Sequence, residues 1–187
     1  MKRIVIFASG SGTNMERIAE WFAGNKSVEI SLVVCNKPGA GVIARAARFG
    51  IPVEMIDKES FYSTGSLTEK LCLIQTDLIV LAGFLWLVPQ SLLEAFPRKI
   101  INIHPALLPS YGGKGMYGMR VHEAVVSAKE PYSGITIHHV NEHYDEGDVI
   151  FQAKIALNEG ETALSLAARI HELEYRHFPE VIESLLH

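Results

Sequence analysis

Short apolar runs alternate with stretches whose apolar positions recur every three to four residues, through the first half of the chain. The runs are Ile4–Ala8, Val28–Cys35, Pro52–Ile56, Leu78–Ala82 and Lys99–His104. A brief continuous apolar run bounded by glycine, proline or polar residues reads as a strand buried on both faces. The stretches between them carry helical spacing: Met15–Phe22, Gly41–Phe49, roughly Phe61–Gln75 and Pro89–Ala95. The first is expected to be capped near Thr13 or Asn14. The second ends at Gly50, a natural residue just past a helix, and the fourth opens on a proline suited to a first turn. Strands separated by helices imply a parallel sheet with helices on both faces.

The second half changes character. Gly112–Gly118 is glycine-rich and leads into a helix over about Met119–Ala128. Ser133–Val140 and Asp148–Ala156 read as two strands joined by a polar turn, a hairpin-like or mixed addition to the sheet. Thr162–Leu186 is a long terminal helix. The expected class is α/β, a Rossmann-like, mostly parallel sheet with C-terminal strands of mixed direction. It is expected to form one domain over 1–187, with a phosphate- or nucleotide-binding half (1–100) and a catalytic half (101–187).

Composition narrows the partners. Hydrophobic residues make up 48% of the 187 positions and charged residues 20%, enough for a sizeable core and unlike a disordered chain. A net charge of −4 with scattered Lys and Arg argues against nucleic acid or an anionic membrane. The basic and apolar opening, Met1–Gly10, imitates a signal peptide, but the apolar stretch is short and Gly10–Asn14 breaks it. No segment reaches the ~18 apolar residues of a membrane span. A cytoplasmic protein is expected. Cys35 and Cys72 sit in apolar runs without a C-x-x-C spacing, as structural thiols do. The eight histidines show neither H-E-x-x-H nor a Cys/His ligand spacing, so no metal is expected.

Chemistry concentrates in four places. Asn102 and His104 lie two apart at the end of an apolar strand, before Pro105, and so share a face. The end of such a strand is where open parallel sheets place ligands, and an amide beside an imidazole can hold an oxyanion. A strand histidine also has a plain structural reading. Gly10-Ser11-Gly12-Thr13-Asn14 joins the first strand to the first helix. It is either a tight turn or a site for a phosphate monoester at a helix N-terminus. Met15 stands where a dinucleotide fingerprint has its third glycine, and no Walker Lys-Ser/Thr follows. The turn His143–Asp148 is either a solvated hairpin turn or the source of a carboxylate for His104, which would favour imidazolium. His138 in the preceding strand can line the same cleft, with His139 facing away. In the last helix, Leu166, Ile170, Leu173, His177 and Val181 form an apolar stripe, opposite Arg169, Glu172, Arg176, Glu180 and Glu183. Glu174 points along the stripe, so either a cleft opens there or an internal partner meets it.

Taken in order, Gly12-Thr13-Asn14, Leu81-Ala82-Gly83-Phe84, Asn102-Ile103-His104-Pro105-Ala106-Leu107-Leu108-Pro109 and Asp145-x-Gly147 resemble the folate-dependent formyltransferases. The glycine-rich turn and the bare domain make the chain most similar to the phosphoribosylglycinamide formyltransferase family. The resemblance covers essentially the whole chain. It implies transfer of a formyl group from 10-formyltetrahydrofolate, a co-substrate, to the amine of phosphoribosylglycinamide in purine (IMP) biosynthesis. It places catalytic roles on Asn102, His104 and Asp145. Gly12, Thr13, Asn14, Gly83, Pro105 and Glu174 would meet the phosphoribosylglycinamide. Leu85, Trp86, Leu87, Val88, Asn102, His138 and the loop Asn141, Glu142, His143 and Tyr144 would meet the folate. Related enzymes often carry a folate-contacting arginine after the third strand; here Asp57-Lys58-Glu59-Ser60 stands there, and Lys58 is a weak substitute. The expected partners are small molecules, with the protein a monomer or a homodimer.

The implied mechanism is direct acyl transfer, with His104 held protonated by Asp145. Close alternatives are formyl transfer to an aminoacyl-tRNA or an amino sugar, and hydrolysis of 10-formyltetrahydrofolate. A non-catalytic nucleotide-binding module explains the phosphate turn but leaves Asn102, His104 and Asp145 idle.

Overall fold

The computed structural model describes residues 1–187. Its strands are β1 (Lys2–Ala8), β2 (Val28–Cys35), β3 (Val53–Met55), β4 (Leu78–Leu81), β5 (Ile100–His104), β6 (Tyr132–His139) and β7 (Val149–Ala156). Its helices are α1 (Thr13–Trp21), α2 (Gly41–Arg48), α3 (Lys58–Tyr62), α4 (Ser66–Leu73), α5 (Gln90–Ala95), α6 (Met119–Ser127) and α7 (Ala163–Leu186). The strands form one sheet in the order β3-β2-β1-β4-β5-β6-β7. β1 to β5 pair in parallel, whereas β6 runs antiparallel to β5 and β7 to β6.

β1 shows why the sheet is doubly covered. Ile4, Ile6 and Ala8 face a core shared with α1, α2, α6 and α7. Val5 and Phe7 face a second core with α3, α4 and α5. All five side chains are fully buried, as the unbroken apolar run requires of a central parallel strand. Outward from β1 the chain runs to β2 and β3, and outward from β4 it runs the other way to β5. The loops leaving the C-terminal ends of β1 and β4 therefore part, and a crevice opens between them.

Three details differ from the pattern-based expectation. The stretch Phe61–Gln75 is two helices, because Gly65 adopts φ +69° between them and Asp57 starts α3 earlier with a capping box to Ser60. Pro89 is the extended N-cap of α5 and not its first helical residue. On α7 the buried band is centred on Ala167, Glu174, Phe178 and Ile182, with Leu173 and His177 at its margin. A helix lying in the groove between a sheet and two other helices buries more than one stripe. Thr162 caps α7 reciprocally with Ser165.

Candidate active site

A cleft of ≈ 710 Å³ follows the C-terminal ends of β1, β4 and β5, and α6, α7 and the loops after β5 and β6 close it. Its centre is the end of β5. Asn102 and His104 project to one side, and the loop after β6 brings Asp145 to both. Asn102 Nδ2 lies 3.3 Å from Asp145 Oδ1, and His104 Nδ1 lies 3.4 Å from Asp145 Oδ2. The Gly113 N–H donates to the same Oδ2 at 2.9 Å.

The turn carrying Asp145 is built tightly. Asp145 sits at φ +59°, a left-handed conformation that Asp tolerates better than most residues. A Cβ on Gly147 would fall 1.7 Å from the His139 carbonyl oxygen, so only glycine lets this turn lie against the end of β6. Across the cleft Tyr111 also has φ +59°, and its carbonyl accepts from His104 Nε2 at 2.7 Å. Two residues in a sparsely populated conformation thus hold the two sides of one imidazole.

These bonds assign protons. A carbonyl only accepts, so His104 carries its proton on Nε2. His138 Nδ1 is 2.8 Å from the His139 carbonyl and carries its proton there. Its Nε2 is left to accept from Asn102 Nδ2 at 3.1 Å. Burial drives the His104 imidazole below its ordinary value, and the opposing pull of Asp145 and of the Tyr111 carbonyl does not restore it. The expected imidazolium is therefore corrected: His104 is only 3% exposed, and desolvation outweighs its carboxylate neighbour. Burial pushes the Asp145 carboxyl up, but the His138 and His104 rings and the Gly113 N–H more than compensate and hold it below the carboxylate range.

One end of the cleft is suited to an anion. The N-cap of α1 is Gly12 at φ +81°, and no side chain caps the helix. The cap expected at Thr13 or Asn14 is thus one residue or more too late. A Cβ on Gly12 would lie 2.6 Å from the Val42 backbone, so the turn and α2 touch directly. The uncapped N–H groups of α1 and its dipole favour negative charge, and Lys37 lines the same wall. Asn14 instead reaches across to α7, where its Nδ2 donates to Glu174 Oε2 at 3.0 Å. His171 Nδ1 meets the same oxygen at 2.9 Å, and this bond lifts His171 above its ordinary value despite partial burial. Glu174 is 4% exposed and lines the cleft, which joins both readings of its place in the apolar stripe.

The other end is apolar. Leu85, Trp86, Leu87 and Val88 line it. The segment is pinned by Leu85 N donating to Ser9 Oγ (3.1 Å) and by the Tyr62 hydroxyl donating to the Leu87 carbonyl (3.1 Å). Phe84 and Phe61 pack on Trp86 with ring centroids 6.1 and 5.6 Å away.

Gly12, Thr13, Asn14, Gly83, Pro105, His138, His143 and Tyr144 also line the cleft. Asn141, Glu142 and Lys58 do not. Asn141 Oδ1 accepts from the His143 N–H, which shapes the loop, and Lys58 lies at the exposed start of α3. Pattern reading missed Tyr111, Gly113, Lys37, His122 and His171. The first two act through backbone atoms, which leave no mark in side-chain pattern. His171 was findable, because it stands one helical turn before Glu174.

Residues 2–182 match the family described as formyl transferase. The phosphoribosylglycinamide formyltransferase of Bacillus subtilis (strain 168) is 39% identical, over 100% of this chain and 95% of that protein. The chloroplastic phosphoribosylglycinamide formyltransferase of Vigna unguiculata is 40% identical over 98% of this chain, which spans only 61% of the plant protein. Among solved structures, phosphoribosylglycinamide formyltransferase from Bacillus halodurans superposes with a TM-score of 0.87 at 37% identity, covering 99% of this chain and 95% of that one.

Proposed function

We propose that this chain, which belongs to the formyl transferase family, moves a formyl group from 10-formyltetrahydrofolate to the amine of N1-(5-phosphoribosyl)glycinamide. One observation carries the reading: Asn102 and His104 converge on Asp145 midway between an anion-ready turn and an apolar pocket. The phosphate seats on the N–H groups of Gly12, Thr13 and Asn14. Glu174, fixed by Asn14 and His171, accepts from ribose hydroxyls, and Gly83 and Pro105 border the glycinamide. The pterin lies against Leu85–Val88, with His138, His143 and Tyr144 on the facing wall.

The amine nitrogen attacks the formyl carbon, and the carbonyl oxygen becomes an oxyanion. Asn102 Nδ2 donates to it. The His104 Nε2–H turns from the Tyr111 carbonyl to the oxyanion, because a charged acceptor makes the stronger bond. Asp145, a carboxylate at the outset, takes the proton lost by the attacking amine, while Asn102 and the His104 N–H hold the oxyanion. Collapse breaks the bond from the formyl carbon to N10, which leaves with the proton that Asp145 took from the amine. The products are the formylated amide and tetrahydrofolate.

Mixing the protein with both substrates and following folate absorbance tests this. Tetrahydrofolate release that requires phosphoribosylglycinamide supports the proposal. Release without any amine means hydrolysis, and no release means a different acceptor or a binding module.

A further inference from the structure

His122 lines the cleft but enters none of these steps. It lies on α6 and is 2% exposed, between the buried apolar side chains Val121 and Val125. Its Nδ1 is wholly buried without a partner, and the ring makes no hydrogen bond within the protein. A neutral imidazole carries one N–H and one bare nitrogen, and leaving the buried Nδ1 unmet costs about 1–3 kcal/mol. An apolar residue here would avoid that cost, as its neighbours on α6 do.

The surroundings say what meets the ring. Glu174 and His171 of α7 and His104 of β5 are the titratable groups whose charge reaches it, and Ala167 of α7 lines the same wall. His122 thus shares the lining of this cleft with the carboxylate assigned to the ribose and with the imidazole at the reacting carbonyl. α6 packs on α7, and the part of the acceptor assigned to Glu174 of α7 is the sugar ring. A hydroxyl both donates and accepts, so it satisfies either tautomer of a neutral imidazole. A phosphate only accepts and so suits the N–H of the ring but not its bare nitrogen.

Resting on the acceptor assignment above, we propose that His122 is a substrate-binding residue that hydrogen-bonds a ribose hydroxyl of the acceptor, alongside Glu174. The test is calorimetric binding of phosphoribosylglycinamide to wild type, His122→Leu and His122→Asn, with steady-state kinetics for the folate. His122→Leu weakens acceptor binding about tenfold, the loss of one hydrogen bond of about 1.4 kcal/mol, with folate KM unchanged. His122→Asn, which keeps a polar atom near the Nδ1 position, recovers most of the affinity. Because the lost group is unpaired, the melting temperature of His122→Leu does not fall. In wild-type protein labelled with ¹⁵N-histidine, the His122 signals shift with phosphoribosylglycinamide and with ribose 5-phosphate. This arm decides the matter if a variant fails to fold. Unchanged acceptor affinity in His122→Leu, an equal rise in folate KM, or unmoved His122 signals overturns this inference alone. Wild-type protein that binds no phosphoribosylglycinamide overturns the acceptor assignment and this inference with it.

Discussion

His104 donates from Nε2 to the Tyr111 carbonyl and lies beside Asp145 with Nδ1, and burial opposes its charging, so its chemistry depends on charge that arrives during the reaction. Asn102→Ala removes an oxyanion donor and should lower kcat by about 10²–10³, with substrate KM values little changed. Wild-type turnover in that variant would remove Asn102 from the mechanism. Asp145→Asn leaves a side chain of similar shape but withdraws the one group whose charge raises the His104 pKa most. It should slow the chemical step far more than it weakens folate binding, and His104 should titrate lower still by NMR. The sequence brought Asn102, His104 and Asp145 together because strand periodicity and short motifs concern side chains. It could not show the Tyr111 carbonyl or the Gly113 N–H, since every residue carries such groups and only the fold selects which ones matter. It also misjudged the charge of His104, because proximity to a carboxylate was legible and the depth of burial was not.

Helices and strands were easier to read where packing and propensity agree. β1, β2 and α2 fall within a residue or two of the expected bounds, since a fully buried run or an alanine-rich face admits one structure. The region after β3 was misread as one helix. Its apolar spacing continues across Gly65, but the backbone turns there. The α1 turn depends on contacts between elements, and Gly12 shows how. Gly12→Ala must hold a left-handed conformation at about 1–2 kcal/mol and also push back the Val42 backbone. The expected loss is roughly 2–8 °C in melting temperature from the conformational part alone. Acceptor KM should rise with it, because the displaced N–H groups are those that meet the phosphate. A variant with unchanged melting temperature and KM would show that the turn is dispensable.

Across the whole molecule, four perturbed histidines set how stability responds to pH. His104, His122 and His139 are held below their ordinary values, chiefly by burial, and His171 is held above its own by Glu174. As pH falls through about 6.5, the unfolded chain takes up protons that the first three refuse when folded, so they withdraw stability. His171 has the opposite sign: its contribution is complete below that pH and is lost as pH rises through its folded value. Three against one predicts a lower melting temperature at pH 5.5 than at pH 7.5, read by calorimetry. A flat or rising profile would contradict the assignment of these rings as neutral. Ligand binding acts on the same scale. Phosphoribosylglycinamide at about 100 times its Kd should add ≈ 2.7 kcal/mol of stability, visible as a thermal shift. No helix is long and apolar enough to cross a membrane. The bond from Asn14 to Glu174 joins residues 160 positions apart. During synthesis, the phosphate turn, the β5 end and even Asp145 leave the ribosome before the carboxylate that completes the acceptor site. A nascent chain can therefore finish most of its sheet while lacking a complete place for the sugar. The loop that this bond closes spans most of the chain, so closing it carries a chain-entropy cost. Acceptor binding is in this sense a late checkpoint, passed only after the last helix has found the first.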